Sequence, residues 1–332
     1  MEFLQSMLEE QYGTEISKKI MEGYTKQRTV TFRVNTLKSN VETIENKLKE
    51  SNIEYEKISW SKEAFILENV NEKEIQELDI YKNGEIYLQS LSSMLPPIIL
   101  KPQEGADILD MAAAPGGKTT QMAALSSNKA HITACEKNKI RAERLKYNVD
   151  KQGASCVFIM TKDARYIDDF FSFDQILLDA PCSGSGTLNI NDSNLKNIFT
   201  KELIDRSVSS QLSLLKKAIK ILKPGHEMVY STCSVLACEN EDILKKALSG
   251  EKAEIVPIDF AGIESIPHLP TKIDGTLCVC PNELYEGFFV AKIRKNRWNN
   301  TKHKNVLKIC VIFYAFYTYL LHMCKFYIII HI

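Results

Sequence analysis

The spacing of hydrophobic residues along the chain predicts an α/β fold. From residue 105 onwards, short apolar runs typical of buried strands alternate with longer stretches whose apolar positions recur at helical spacing. This alternation indicates a mostly parallel sheet with helices on both faces, whose ligands bind at the carboxyl ends of the strands. Strands are predicted at residues 107–111, 131–135, 155–160, 174–178, 227–231 and 287–293, and helices at 118–125, 137–152, 201–222 and 239–248.

The first 93 residues show a different order of elements. The pattern predicts two short helices within residues 1–26 that meet at Gly13, a strand at 29–35, a helix at 41–51 and strands within 55–68. This β-α-β order predicts a small α/β accessory domain over residues 1–93, followed by a larger domain over 94–298. The pair Pro96-Pro97 is expected to mark the boundary.

The C-terminal residues 299–332 form an atypical tail. A polar break at 299–305 precedes an almost entirely apolar stretch, which His322 and Lys325 interrupt where a membrane-spanning helix would have to continue. Three interpretations are open: a membrane anchor, an apolar helix packed on the body, or an appended segment that selection has not shaped. We favour the third, and a membrane partner is expected only if the first is correct.

Composition indicates a globular protein without a strong preference for polyanions. The 332 residues are 44% hydrophobic, and 42 basic residues balance 42 acidic ones. A nucleic-acid-binding groove would therefore need local clustering of cations. The nine cysteines form no repeating framework and the first residues do not form a signal peptide, which together favour a reducing, cytoplasmic location.

Residues 108–120 (ILDMAAAPGGKTT) predict a strand, a Pro-Gly-Gly turn and the start of a helix. Such a turn directs backbone N–H groups at one spot, which suits an anionic group. The adjacent Gly116 and Gly117 fit neither a phosphate loop nor a G-x-G-x-x-G fingerprint. The next strand ends at Glu136, where a carboxylate usually accepts hydrogen bonds from ribose hydroxyls. A ligand with a ribose and a carboxylate but no phosphate matches S-adenosylmethionine.

Two further stretches make the pattern specific: residues 179–186 (DAPCSGSG) and 230–234 (YSTCS). Together with residues 108–120 they resemble the Sun family of RNA cytosine-C5 methyltransferases, also called the Fmu or nucleolar-protein family. The resemblance extends from about residue 33 to residue 292. It implies a Rossmann-like methyltransferase domain, a small RNA-binding domain before it, S-adenosylmethionine as cofactor, and tRNA or rRNA rather than DNA as partner.

The resemblance also implies roles for single residues. Glu136 is expected to hold the ribose, Asp163 the adenine amino group, and Asp179 is expected to lie closest to the reaction. Without the resemblance, these acids and Asp110 could equally cap helices or turns. The full set of expected cofactor contacts is Ala112, Ala113, Ala114, Pro115, Gly116, Gly117, Lys118, Glu136, Asp163 and Asp179.

The expected chemistry requires a cysteine. Cytosine C5 is a poor nucleophile, and addition of a thiolate at C6 makes C5 an enamine-like carbon that can accept a methyl group. Cys182, in a Pro-Cys pair, and Cys233, after a predicted strand, compete for this role, and either could instead be a buried hydrophobic residue. The resemblance assigns the attack to Cys233 and breakdown of the adduct to Cys182. It gives Asp179 the cytosine edge, and Lys118 the motif loop or the substrate.

Weaker signals add four expectations. Residues 33–38 (RVNTLK) resemble a motif in the RNA-binding region of the family, and the resemblance makes Arg33 and Lys38 candidates for phosphate contacts; without it they would be read as a solvated strand edge. Residues 188–200 are expected to form a mobile lid over the target base, which must be flipped out or single-stranded. His226 is expected in a turn. The acidic residues of 238–241 (CENE) are expected to cap a helix N-terminus.

The sequence leaves two rival functions open. One is an RNA-binding or ribosome-assembly protein that kept the fold without catalysis, and the other is a DNA methyltransferase that uses Cys182. A metal is not expected, because residues 278–280 (CVC) lack the spacing of metal ligands and no other cluster accompanies them. The RNA species is undecided, with a slight preference for tRNA.

Overall fold

Two β-sheets organise the chain in this computed structural model, which describes residues 2–190 and 199–297. The helices are α1 (Glu2–Gly23), α2 (Val41–Glu50), α3 (Glu72–Glu77), α4 (Asp79–Lys82), α5 (Leu91–Leu100), α6 (Gly117–Leu125), α7 (Lys139–Gln152), α8 (Lys201–Ile221) and α9 (Glu241–Leu248). The strands are β1 (Val30–Val34), β2 (Tyr55–Ile58), β3 (Ser61–Leu67), β4 (Ile86–Leu88), β5 (Asp107–Asp110), β6 (His131–Cys135), β7 (Val157–Met160), β8 (Phe173–Asp179), β9 (Leu222–Thr232), β10 (Ala253–Val256), β11 (His268–Leu269), β12 (Leu277–Val279) and β13 (Phe288–Lys295).

The small sheet has four antiparallel strands in the order β2-β3-β1-β4. Its apolar face packs on α2, with Phe32 and Phe65 stacked at 5.1 Å between ring centroids. Asn40 begins α2 by accepting a hydrogen bond from the backbone N of Thr43 at 2.9 Å. Helix α1 comes before this sheet in the chain, yet its buried leucines belong to the core of the large sheet.

The large sheet has nine strands, ordered β11-β12-β13-β9-β8-β5-β6-β7, with β10 paired to β13. Strands β5 to β9 are parallel, and β10 to β13 are antiparallel. Ile176 and Leu177, adjacent on β8, belong to different apolar clusters, because successive side chains of a strand point to opposite faces. Helices therefore cover both faces. The expected α/β fold with a Rossmann-like, mostly parallel sheet is confirmed.

The chain order of the parallel strands reverses direction between β5 and β8. From β5 the sheet continues through β6 to β7 on one side and through β8 to β9 on the other. Ligands of open α/β sheets bind at such a switch point, beyond the carboxyl ends of the strands. In this chain those ends carry Asp110 on β5 and Asp179 on β8.

Pro96 and Pro97, expected at the boundary between the two domains, lie inside α5, where eight of its ten residues are buried, so packing outweighs the cost of proline in a helix. The boundary between domains at 1–93 and 94–298 stays a prediction. Other local expectations are wrong. His226 lies in β9 rather than in a turn, with its Nδ1 3.1 Å from the backbone oxygen of Asp174. Strands β10 to β12 were not expected. The expected lid includes residues 191–198, which, like the tail at 299–332, lie outside the described residues.

Arg33 joins the small sheet to the large one. Its Nε donates to Gln89 Oε1 at 2.9 Å, and one terminal nitrogen donates to the carbonyl of Gly117 at 3.1 Å and to Thr120 Oγ1 at 2.8 Å. The guanidinium also stacks on Tyr87, 5.1 Å from the ring centroid. Burial lowers the pKa of Arg33 to about 10, so the side chain stays charged at neutral pH. Only 3% of the residue is exposed, so the expected phosphate contact is wrong.

Asn35, two residues later, makes a similar connection. Its side-chain nitrogen donates to the carbonyls of Gly84 and Gln152, each at 2.8 Å, and Gln152 is the last residue of α7. Lys38 is exposed and donates to the carbonyl of Asn83 at 3.0 Å. Its contact with phosphate stays a prediction.

We predict that Arg33→Gln lowers the free energy of unfolding by about 2–4 kcal/mol, because the shorter side chain leaves buried acceptors around Thr120 without a donor. Urea denaturation followed by circular dichroism measures this. The matched variant Lys38→Gln, on the exposed loop after β1, is expected to change stability by less than about 0.5 kcal/mol. Equal effects of the two variants would contradict the structural role of Arg33.

Candidate active site

The parallel pairing of β8 and β9 starts two loops at the same place. Asp179 pairs with Ser231, and the backbone N of Ala180 donates to the Ser231 carbonyl at 2.8 Å. Cys182 follows three residues after Asp179, and Cys233 two residues after Ser231. The two loops therefore leave the sheet side by side.

The structure brings the two candidate cysteines into contact. Their sulfur atoms are 2.9 Å apart, both residues are half-buried, and both are free thiols. The hydrogen bond to Cys233 and burial raise the pKa of Cys182 well above its ordinary value, and the charges of Cys233 and Glu239 add to this rise. These surroundings disfavour the thiolate of Cys182.

Asp179 and Lys118 form an ion pair beside the cysteines. Lys118 Nζ lies 2.8 Å from Asp179 Oδ2 and donates to Ser93 Oγ at 2.8 Å, and Ser231 Oγ donates to Asp179 Oδ1 at 2.7 Å. Burial opposes the charge on Lys118, but the neighbouring Asp179 outweighs it, and the net effect raises the pKa of Lys118. Lys118 is therefore not a solvated first-turn lysine. Both oxygens of Asp179 are oriented before any ligand binds.

Asp110, the last residue of β5, forms hydrogen bonds to the turn that follows it and to α6. Its carboxylate accepts hydrogen bonds from Thr119 Oγ1 at 2.7 Å and from the backbone N of Ala112 at 3.4 Å, and it is 1% exposed. Burial raises the pKa of Asp110 to about 6, Asp179 contributes to the rise, and the bond from Thr119 opposes it. Gly116, with a φ of 112°, is the N-cap of α6, in a conformation that favours glycine.

One cavity lies beyond the ends of β5, β6 and β8. It brings together five of the ten expected cofactor contacts, namely Ala112, Ala114, Glu136, Asp163 and Asp179, and it also reaches Cys182 and Cys233. Glu136 is nearly buried; one of its oxygens accepts the backbone N of Asn138 at 2.8 Å, and the other lies 3.6 Å from Arg141 Nε. Pro115, Gly116 and Gly117 do not line this cavity.

The carboxylate of Asp163 is more fully occupied by hydrogen bonds within the protein than that of Glu136. Arg165 donates to both of its carboxylate oxygens, with distances of 2.5 to 3.1 Å, and these hydrogen bonds lower the pKa of Asp163. Its backbone position also begins the 3₁₀ turn Ala164–Tyr166. Its expected contact with adenine stays a prediction.

A second, larger cleft opens on the other side of the cysteine pair. Its walls come from the small sheet, from the turn before α6 and from β13, and its lining includes Arg28, Thr31, Tyr87, Gln89, Glu286 and Phe288. Lys118 lies over Phe288 at 5.4 Å from the ring centroid. Cys233 and Asp179 line both this cleft and the first cavity. The reactive groups thus lie at the junction of two binding spaces.

A polar cluster below the cysteines was not expected from the sequence. Ser183 and Ser234, which follow Cys182 and Cys233 in the chain, both donate to the buried carboxylate of Glu239. The expected acidic helix start is present, because α9 begins at Glu241 and has Glu241 and Asp242 in its first turn. Glu239 does not take part, since its side chain bonds to these serines, and Asn240, the N-cap, makes no side-chain capping bond. The repeated Cys-Ser dipeptide is the sequence signal that could have revealed the cluster.

Within the described residues, no group of three or more His, Cys, Asp or Glu side chains is arranged to hold a metal ion. The same part of the chain contains no helix with the length and hydropathy of a membrane span.

Comparison with known proteins agrees with this geometry. A model of the 16S rRNA methyltransferase RsmB/F family matches residues 97–294, and a model of the ferredoxin-like domain of RsmF/B-like methyltransferases matches residues 2–72. The chain belongs to the RsmB/F family. This membership confirms the resemblance to the Sun family of RNA cytosine-C5 methyltransferases.

The relatives of this RsmB/F family chain include enzymes named for different RNAs. It is 36% identical over 276 residues to ribosomal RNA small subunit methyltransferase F of Shewanella sp. strain ANA-3, an alignment that covers 80% of this chain and 56% of the relative. It is 35% identical over 275 residues to tRNA (cytosine(49)-C(5))-methyltransferase of Pyrococcus abyssi, covering 80% and 88%. The chain thus spans about half the length of the ribosomal RNA relatives that it matches.

Solved structures show the same fold. A methyltransferase homolog protein from Pyrococcus horikoshii superposes with a TM-score of 0.74 at 34% identity, covering 86% of this chain and 92% of that one. NSun6 from Pyrococcus horikoshii, determined with SFG, has a TM-score of 0.77 at 24% identity, covering 88% and 97%. The second likeness bears on the fold alone.

The raised pKa of Asp110 predicts how stability depends on pH. The folded protein holds this proton more tightly than the unfolded chain, whose Asp titrates near 3.8, so the stability it contributes is present below pH 4 and is lost as pH rises through 6. The variant Asp110→Asn lacks this titration. We expect the difference in unfolding free energy, wild type minus variant, to fall by roughly 2–3 kcal/mol between pH 4 and pH 7.

Urea denaturation across this pH range makes the measurement, with Asp150→Asn on the exposed face of α7 as the control. The control is expected to keep a constant difference from wild type. A constant difference for Asp110→Asn as well would show that burial does not perturb this carboxyl group.

Proposed function

We propose that the chain transfers a methyl group from S-adenosylmethionine to C5 of cytosine in RNA, through a transient covalent bond between Cys233 and C6 of the base. The observation that carries the proposal is the position of Cys233 and Asp179. Both residues line the first cavity, which contains Glu136 as the proposed ribose contact, and both line the larger cleft. A thiol at this junction can reach a base in one space while a methyl donor occupies the other.

The residues that line the first cavity fit S-adenosylmethionine. Glu136 presents a nearly buried carboxylate at the end of β6, and hydroxyl groups of a ribose are suitable donors to it. Ala112 and Ala114 leave space beside it, and no phosphate cradle is present in this lining. The cofactor, when bound, would supply an electrophilic methyl group on a sulfonium sulfur.

The remaining steps belong to residues of the chain. The thiolate of Cys233 adds to C6, and the π electron pair of the C5–C6 bond moves so that C5 bonds to the methyl carbon, whose bond to the sulfonium sulfur would break and release neutral S-adenosylhomocysteine. A base then takes the C5 proton, the C5–H electron pair restores the C5–C6 double bond, and the Cys233 thiolate leaves. Cys182, 2.9 Å from Cys233, is in position to assist this last step. Asp179, fixed by Lys118 and Ser231, is in position to bond the cytosine edge.

The comparisons support RNA as the substrate class. The names of the relatives include both a ribosomal RNA and a tRNA (cytosine-C5) enzyme. The tRNA enzyme is covered over more of its length, which favours tRNA slightly. Bisulfite sequencing of total RNA from cells with and without this gene would identify the modified cytosine.

Substitution of the two cysteines tests the covalent mechanism. We predict that Cys182→Ala accumulates a protein–RNA adduct that survives denaturing electrophoresis, because the bond to C6 forms but is not broken efficiently. Cys233→Ala is expected to form no adduct, and methyl transfer by either variant is expected to fall at least about 100-fold. The assay uses unmodified tRNA and rRNA transcripts with radiolabelled S-adenosylmethionine.

The reverse pattern, an adduct with Cys233→Ala and none with Cys182→Ala, would support the chemistry of DNA cytosine methyltransferases and overturn the proposal. Cys156→Ala is the matched control, because this free, half-buried thiol lies at the start of β7 and lines neither cavity. RNA binding without methyl transfer by the wild type would instead favour a non-catalytic RNA-binding protein.

A further inference from the structure

Glu239 is a fully buried carboxylate that contacts both cysteine loops. It lies in the 3₁₀ turn Ala237–Glu239 between β9 and α9, and its exposure is 0%. Oε1 accepts the backbone N of Ser183 at 2.7 Å and Gln211 Nε2 at 3.4 Å. Oε2 accepts Ser183 Oγ at 2.5 Å and Ser234 Oγ at 2.6 Å. The carboxylate therefore bridges two segments that are 51 residues apart in the chain at their cysteines.

The four donors that reach Glu239 are all neutral. A buried charge is costly unless hydrogen bonds compensate for it, and here each oxygen receives two. A carboxylate also gathers several donors at one point, which a neutral side chain does less well. The arrangement is thus suited to hold several groups in one geometry.

A second layer of contacts ties the same two loops. Ser185 Oγ lies 2.7 Å from Ser234 Oγ, and the backbone N of Gly186 donates to the Cys233 carbonyl at 2.9 Å. A Cβ on Gly186 would lie only 1.8 Å from the Gly287 oxygen, so the loop also packs tightly against the start of β13. Glu239 is the charged centre of this cluster.

We propose that Glu239 is a positioning residue, which holds the residue after each cysteine and so fixes Cys182 against Cys233. It touches neither cavity, and it acts through Ser183 and Ser234. Its negative charge also favours the protonated form of Cys182, and the hydrogen bond that the Cys182 thiol donates to Cys233 and burial act in the same direction. The positioning role of Glu239 does not depend on the proposed function, but its expected effect on catalysis rests on it.

Other titratable groups lie near Cys182 and contribute to any pH profile. Tyr230 of β9 is buried beside it, and burial raises the pKa of this phenol, with the charges of Cys182 and Glu239 acting in the same direction. The charged residues that line the adjoining cavity are Glu136, Lys137, Arg141, Lys162, Asp163, Arg165 and Asp179. Substitution of Glu239 leaves all of these in place.

The first experiment measures the pH dependence of alkylation at Cys182 in the free protein. Iodoacetamide reacts with the thiolate, and mass spectrometry of peptides reports each cysteine separately. For Glu239→Gln we expect the midpoint for Cys182 to move to lower pH, because a negative charge that favours the protonated thiol is lost and the loop after Cys182 loses its carboxylate acceptor. This readout requires neither RNA nor cofactor.

Glu241→Gln is the matched control. Glu241 is also buried, two residues further along, but it accepts a hydrogen bond from the backbone N of Lys272 at 3.2 Å and does not contact the cysteine loops. We expect its Cys182 profile to equal that of wild type. Identical profiles for Glu239→Gln and wild type would overturn the proposal.

The double variant Ser183→Ala/Ser234→Ala tests the geometry if Glu239→Gln does not fold. It keeps the carboxylate and removes one hydroxyl tie on each side. Diamide oxidises two adjacent thiols to a disulfide and takes up their two protons and two electrons, so its rate reports the distance between Cys182 and Cys233. We expect at least a fivefold slower disulfide formation than in wild type, and an unchanged rate would contradict the positioning role.

The last experiment connects the geometry to catalysis. With RNA, Glu239→Gln is expected to lower kcat about tenfold or more with little change in KM, and to accumulate adduct as Cys182→Ala does. Altered alkylation without any adduct in wild type or variants would leave the role of Glu239 intact and overturn the proposed function. Unaltered alkylation with normal adduct chemistry would overturn only the role of Glu239.

Discussion

The parallel register of β8 and β9 is the constraint on which the rest of the site depends. Because Asp179 pairs with Ser231, the loops that carry Cys182 and Cys233 begin at the same edge of the sheet and can place two sulfur atoms 2.9 Å apart. A shift of one residue in this pairing would turn the side chains of one strand to the opposite face. The buried apolar residues on both faces of β8 and β9 prevent such a shift, so packing in the core fixes distances at the catalytic edge.

Charges near this edge are held by burial and by fixed partners rather than by solvent. Lys118 is pinned between Asp179 and Ser93, and Asp110 is held by Thr119. Where dipoles and charges are already oriented, little reorganisation is needed when charge moves during a reaction. The cost is local: an acid such as Asp110, forced into an apolar surrounding, titrates near 6 instead of near 4. The contribution of Asp110 to the free energy of unfolding therefore depends on pH. Strongly shifted pKa values of this kind are common in functional sites.

The elements with a strong local signal were predictable from the sequence, and those set by tertiary contacts were not. The strand at His131–Cys135 and the helix that begins at Lys201 were expected at those residues, because each has its own apolar period and its own ends. The short strand His268–Leu269 has no such period, since only its neighbour in the sheet defines it. Arg33 shows the same limit for a side chain: a strand with one arginine suggests a solvated edge, and only the packing of α6 against the small sheet makes it a buried connector. Within the candidate site, the resemblance brought the cysteines, Asp179 and Lys118 together as candidates. Ser183 and Ser234 lie in the same motifs, but only the fold shows that both bond to Glu239.

The reactive groups of the site and the outer wall of the larger cleft come from different parts of the fold. The linings of the first cavity and the larger cleft overlap at Ala112, Ala114, Asp179 and Cys233. The two of these with reactive side chains, Asp179 and Cys233, come from the ends of β8 and β9. The outer wall of the larger cleft comes instead from the small sheet, with Thr31 on β1 and Tyr87 on β4. Changes in that wall can alter what fits in the cleft without disturbing the strand ends.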